Sequence, residues 1–194
     1  LYTVPNGLNG EIQVLKLTNT SDKTKKIKLY SFVEFALWNA HDDMTNFQRN
    51  FNTGEIEVTE NAIYHKTEYR ERRNHFAFHS CNRKPDGFDT DRETFFGLYN
   101  GFDAPQQVVN GTCGNSLAMG WSPVASHFFE LEIAPGKSEE FIFMLGYVEN
   151  SEETKWDAPG IINKQRAIVM QEAYSDSEKV EKAFSELKDR WNTI

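Results

Sequence analysis

Between Trp38 and Glu55 the chain reads Trp-Asn-Ala-His-Asp-Asp-Met-Thr-Asn-Phe-Gln-Arg-Asn-Phe-Asn-Thr-Gly-Glu, its most polar stretch to follow an apolar strand. Asn39, Asn46, Gln48, Arg49, Asn50 and Asn52 are interleaved there with Trp38, Phe47 and Phe51. Amides and a guanidinium present paired donors and acceptors to vicinal hydroxyls, and aromatic faces stack on the apolar C–H side of a sugar ring. The segment therefore suits a carbohydrate pocket; the alternative is a long loop tied down by its own side-chain hydrogen bonds.

Other polar clusters are poorer in chemistry. Asp42 and Asp43 are adjacent, and in an extended segment neighbouring side chains point apart, so a dyad sharing one proton is not expected. Asp89, Asp91 and Glu93 alternate but lack the glycine and the terminal glutamate of a calcium loop, and read as a solvated hairpin end. His75 and His79 flank Phe76-Ala77-Phe78 in a strand pattern, which separates them by about 13 Å, too far to chelate one zinc. His41, His65 and His127 are isolated and suit core or surface roles. Tyr69 to Asn74 holds Arg70, Arg72 and Arg73; it is either a loop compensated by Glu68 and Glu71, or a docking surface or oxyanion site. Serine nucleophile motifs, glycine-rich phosphate loops and catalytic Cys–His signatures are missing. Cys81 and Cys113 permit one disulfide and no structural zinc site, and are read as reduced thiols.

The whole-chain balance narrows the partners. With 21 Lys+Arg against 29 Asp+Glu, the net charge of −8 over 194 residues opposes nucleic acid and anionic membrane surfaces. There is no apolar run of about 18 residues and no leader pattern, so a soluble, cytoplasmic protein is expected. Asn19-Thr20-Ser21 and Asn110-Gly111-Thr112 match the glycosylation pattern, and are read as chance. Leu1 to Val4 reads like the end of a strand already under way, as in a fragment of something longer.

The elements that must position these residues are mostly strands. Glu11 to Leu17 alternates polar and apolar. Ile27 to Trp38 is apolar on both parities apart from Glu34, which predicts a central strand buried on both faces and a partner for that carboxylate. Further strands are predicted at Glu55–Val58, Ile63–His65, His75–Ser80, Thr94–Leu98, His127–Ile133 and Glu139–Val148. Turn signals such as Pro85-Asp86-Gly87 and Pro135-Gly136 separate them, and the pattern is that of a sandwich. After Asn150 the pattern turns helical: Ile161 to Met170 fits one helix, and Ser177 caps a second with a stripe of Val180, Ala183, Phe184, Leu187 and Trp191. Residues 1–150 thus form a β-domain and 151–194 a helical appendage.

Four stretches carry a resemblance: Phe35-Ala36-Leu37-Trp38-Asn39-Ala40, Asp42 to Glu55, Tyr64 to His75, and Gly97-Leu98-Tyr99-Asn100-Gly101-Phe102. Through them the chain resembles the N-terminal region of the cellobiose phosphorylases, the inverting disaccharide phosphorylases of glycoside hydrolase family 94. The resemblance implies an all-β fold, a galactose-mutarotase-like β-supersandwich whose first strands precede Leu1, followed by C-terminal linker helices over 151–194 toward an (α/α)6 catalytic barrel. It implies phosphorolysis of cellobiose or a related β-glucoside to glucose 1-phosphate and glucose, with phosphate as co-substrate and no cofactor or metal. Phosphate replaces the water of an inverting hydrolase, so a single general acid suffices. The resemblance places that acid in the barrel, so this chain holds no catalytic residue and is inactive alone. It assigns Gln48, Arg49 and Asn50, with Phe47 in support, to substrate binding, implies a homodimer, and suggests dimer or interdomain packing for Arg70 to Arg73. Two other readings stand beside it. A non-catalytic carbohydrate-binding or assembly module would need a self-contained aromatic platform, and a mutarotase-like epimerase would need His75 or His79 to converge with Glu34.

Overall fold

A computed structural model describes residues 1–35, 54–67, 74–120 and 123–193. Its larger sheet contains β1 (Tyr2–Thr3), β2 (Gly10–Thr18), β5 (Gly54–Val58), β6 (Ala62–Thr67), β7 (His75–Cys81), β9 (Met119–Gly120) and β11 (Ser138–Glu149), ordered β1-β2-β11-β7-β6-β5-β9. The smaller sheet is built on β10 (Pro123–Ile133). On one side β10 pairs with β3 (Lys25–Tyr30) and β4 (Val33–Glu34), and on the other with β8 (Gly87–Asp91). All these pairings are antiparallel.

The side-chain period of two divides the larger sheet between two cores. Phe141 and Phe143 of β11 and Cys81 of β7 meet Phe129, Leu131 and Ile133 of β10 in the layer between the sheets. Ile142, Met144 and Val148, with Phe76, Phe78 and Tyr64, face the opposite way. Helices cover that outer face, so β7 is buried at every residue and β11 through its middle. Ile162 of the hairpin β12 (Trp156–Ala158) and β13 (Ile161–Ile162), Ala167 of α3 (Gln165–Ala173) and Val180 of α4 (Ser177–Asn192) complete the outer core.

Crossings between the sheets are pinned by one side chain. Pro135-Gly136 makes a turn closed by Lys137 N to Ala134 O at 3.1 Å, with Gly136 at φ 69°, and carries the chain from β10 to β11. Asn19, on the β2 to β3 crossing, donates its amide to Ile133 O at 2.7 Å and Lys23 O at 2.8 Å. Buried and bonded in this way, Asn19 is a structural residue and not a glycosylation acceptor.

Gly146 shows how tightly the outer layer packs. A β-carbon there would lie 2.3 Å from the Phe78 ring, which is itself fully buried. Gly146→Ala is expected to cost about 1–3 kcal/mol by overpacking, read as a thermal midpoint lowered by several degrees. An unchanged midpoint would show that Phe78 has room to move.

Three sequence expectations change. The strand from Ile27 is real, since one register runs from Lys25 to Glu34, but it lies at the edge of the smaller sheet and β10 takes the centre. Ser31 interrupts it because its hydroxyl, rather than a main-chain carbonyl, accepts from His127 N at 3.0 Å. Thr94 to Leu98, expected as strand, is mostly α1 (Arg92–Phe96), capped by Asp91, whose Oδ1 accepts from Thr94 N at 2.7 Å. The supposed hairpin end at Gly87 to Glu93 is strand β8 leading into that helix, with Asp89 only 2% exposed. Asp89 accepts from Gly114 N, Ser116 N and the Ser116 hydroxyl, pinning the segment that follows α2 (Gln106–Asn110).

At the C-terminal end the periodicity is shifted by short distances. Ile161 and Ile162 form β13 instead of the first helical turn, and Asp176 rather than Ser177 caps α4, accepting from Lys179 N at 3.0 Å. The helix docks through Val180, while Phe184 and Trp191 of the same stripe are exposed.

Candidate functional site

Strand ends of both sheets meet at one end of the sandwich. There β2, β5 and β7 begin, and β4, β6 and β11 end. Phe35 enters the layer between the sheets at this end and stacks on His65, with centroids 5.1 Å apart and planes 8° apart. A cavity of about 630 Å³ opens between the sheets, lined in part by Asn9, Glu11, Glu34, Phe35, Ala77 and Tyr147.

Each polar wall is held by its neighbours. Glu34 accepts from Arg92 Nε at 2.7 Å, and the guanidinium lies 4.6 Å from the Phe96 ring centre. The carboxylate that had to find a partner has one in the first residue of α1. Tyr147 OH lies 2.9 Å from Nδ1 of His75, and Gln13 donates to Glu11. Carboxylates, a phenol and an amide beside aromatic rings form the donor and acceptor set that a polyhydroxylated ligand requires.

Phe47, Gln48, Arg49 and Asn50 lie outside the described residues, as do His41, Asp42, Asp43 and Arg70 to Arg73. Their nearest described neighbours in the chain, Phe35, Gly54, Thr67 and Asn74, all stand at this end of the sandwich.

The four described histidines are core groups. His79 Nε2 lies 3.0 Å from the Ser31 hydroxyl, and its ring stacks on His127 at 5.1 Å and on Phe143 at 5.7 Å. Burial holds His79 down to about 4. Burial, with the charge of His75 adding to it, takes His65 to about 3. His127 is held well below its usual range by burial and then by His79. His65, His79 and His127, held neutral by burial, are packing groups, and an epimerase pair of Glu34 with His75 or His79 would have to break the Arg92 and Tyr147 or Ser31 contacts.

Among the described residues, no three His, Cys, Asp or Glu side chains gather as a metal site. Cys81 and Cys113 are free thiols, and burial pushes Cys81 up to about 11, away from nucleophilic use. No helix among the described residues is long and apolar enough to cross a membrane.

Sequence reading missed an ionic cluster on the outer face. Lys66, buried in β6, donates to Glu55 at 2.8 Å and to Gly160 O, and pairs with Glu57 at 2.9 Å. Glu57 also accepts from Lys164 Nζ and from Ile162 N. Burial alone would raise Glu57 and lower Lys66, but these bonds outweigh it and shift both the other way, favouring the charged forms. The alternation Glu55-Ile56-Glu57-Val58 was the available signal, since it puts both acids on the face opposite Ile56 and Val58.

An unequal antiparallel sandwich with a helical layer on its larger sheet defines an all-β domain of the supersandwich class. Residues 1–187 match the Glycosyl hydrolase 94 supersandwich domain, and the chain belongs to that family. It is 28% identical over 196 residues to an N,N'-diacetylchitobiose phosphorylase of Vibrio proteolyticus, covering 97% of this chain and 22% of that protein. A protein of the same name from Vibrio furnissii is 24% identical over 195 residues, with the same coverage. A solabiose phosphorylase of Paenibacillus borealis is 29% identical over 179 residues, covering 88% of this chain and 23% of the relative. The chain spans about a fifth of the length of these curated relatives.

Proposed function

We propose that this chain is the N-terminal supersandwich domain of an inverting disaccharide phosphorylase and that it shapes the sugar subsites of a catalytic barrel belonging to the same polypeptide. Membership of the family over residues 1–187 carries the reading. Cellobiose or a related β-glucoside is the substrate that the resemblance suggests; N,N'-diacetylchitobiose and solabiose, named for the relatives, widen the choice of disaccharide. Phosphate serves as co-substrate, no cofactor is required, and the protein works as a cytoplasmic homodimer.

Incubating the full-length protein with phosphate and each of the three disaccharides in turn tests this. Release of a sugar 1-phosphate from one of them is expected, and none from the isolated chain. No product from any disaccharide would favour a non-catalytic carbohydrate-binding module, and product from the isolated chain would overturn the division of labour.

Within this reading Gln48, Arg49 and Asn50 bind substrate and Phe47 supports them. Arg49→Ala in the full-length enzyme is expected to lower kcat/KM by ~10-fold, about 1.4 kcal/mol of lost charge-assisted hydrogen bonding. Unaltered kinetics in a folded variant would remove Arg49 from the site.

A further inference from the structure

A second concavity lies outside the smaller sheet, where Tyr30 of β3 donates to Gln107 O and Thr112 O and α1 starts at Arg92, beside Glu34 of the cleft. Between α1 and α2, a hollow of about 450 Å³ is lined by Glu93, Tyr99, Asn100, Gln106 and Gln107 around Gly97. We propose that this hollow is an ancillary saccharide-binding subsite, with Tyr99 as its stacking platform and the Asn100 and Gln106 amides and the Glu93 carboxylate as its hydroxyl ligands.

The floor is rigid. Phe95 and Phe96 of α1 are buried against Phe32, with ring centres 4.9 and 5.1 Å away. Gln107 is fixed at both ends of its amide, donating to Thr94 O at 3.1 Å and accepting from the Thr112 hydroxyl at 2.7 Å.

Beside α1 two amides converge on Gly97. A β-carbon at Gly97 would sit 2.5 Å from Gln106 Oε1 and 3.2 Å from Asn100 Nδ2, and the backbone there has φ 85°, which favours glycine. Neither amide, nor the Glu93 carboxylate, hydrogen-bonds a described side chain or backbone group, so their donors and acceptors are open to a ligand.

Tyr99 is 97% exposed at the rim. A bare aromatic face beside unengaged amides matches a pyranose ring, which has an apolar C–H face and a rim of hydroxyls. A lone exposed tyrosine would say nothing; the unengaged amides beside it supply the hydrogen-bonding half of the recognition.

The experiment is affinity electrophoresis of the full-length protein through gels containing barley β-glucan, with titration by cellohexaose as the quantitative arm. Retardation by the glucan is expected, with binding about tenfold weaker in Tyr99→Ala and weakened also in Gln106→Ala, while kcat/KM on the disaccharide substrate stays unchanged. Both side chains are exposed, so folding of the variants is checked by an unaltered thermal midpoint. Equal retardation of wild type and Tyr99→Ala, or no retardation of the wild type, overturns the proposal. A change of sedimentation coefficient in Tyr99→Ala without saccharide binding would reassign the surface to a subunit contact. The inference does not rest on phosphorolysis: Tyr99-dependent binding in a protein that turns over no disaccharide sustains the subsite and sinks the catalytic reading alone.

Discussion

Lowering the pH from 7 to 4.5 is expected to remove about 5 kcal/mol of folding stability through His65 and His79 alone. Both are neutral in the folded protein, held down to about 3 and about 4 by burial, whereas an unfolded histidine titrates near 6.5. Between those values the unfolded chain binds protons that the folded chain does not. Stability is therefore full above pH 7 and falls as pH drops through 6.5, by about 1.4 kcal/mol per unit for each group. The fall from these two histidines ends only when the folded rings protonate, near 4 and 3.

His127 adds to the same loss, because burial and His79 hold it down as well. The stacked His79 and His127 rings, 5.1 Å apart, cannot both carry charge without strong repulsion. Set against the usual 5–15 kcal/mol for a domain, this loss is enough to unfold one of ordinary stability. Thermal unfolding followed by circular dichroism at pH 7, 6, 5 and 4.5 should show a steep fall in midpoint, and His65→Leu should make the fall shallower by one proton's share. A midpoint flat down to pH 4.5 would mean that the rings are hydrated or charged in the fold.

Why the strands could be read from the sequence and the site could not is a matter of range. Phe141-Ile142-Phe143-Met144-Leu145 declares a strand apolar on both faces, and a strand of that kind has to lie between two layers, whatever those layers are. Nothing local says that one layer is helical. That follows from Ala167 and Val180 reaching the outer core from about 25 and 40 residues downstream. Asp89 was misread for the same reason. Its alternation with Asp91 and Glu93 looks solvated until Gly114 and Ser116 arrive to satisfy its carboxylate. Thr94 to Leu98 has aromatic residues that suit a strand, and it became helix because Asp91 supplies a cap and Phe95 and Phe96 both turn toward Phe32. At the site, the requirement for a partner was legible at Glu34, while the identity of that partner, Arg92, depended on the fold.

The Glu57 cluster sets the second large effect. Glu57→Ala is expected to destabilise the domain by about 3 kcal/mol, because it leaves Lys66 and Lys164 facing one another on the sheet with one fewer counter-ion between them. The side chains of these lysines are 4% and 13% exposed, so solvent screens them little. The lost bonds also hold a layer in place: Glu57 accepts from Ile162 N at 3.0 Å, and Lys66 donates to Gly160 O, so the β12–β13 hairpin and the start of α3 are tied to the sheet through these groups. Undocking there exposes Ile162 and Ala167, which are otherwise fully buried. Glu57→Gln should fall between wild type and alanine, since the amide oxygen still accepts from Ile162 N while the charge is gone. The control is Glu60→Ala, which breaks a pair with Lys84 that is more than 70% exposed on both sides and is worth at most about 1 kcal/mol. Urea midpoints for the three variants, with hydrogen exchange at the Ile162 and Ile168 amides, separate the cases. If Glu57→Ala costs no more than Glu60→Ala, and both amides keep their protection, the helical layer is held by its apolar contacts alone and the ionic cluster is incidental to the fold.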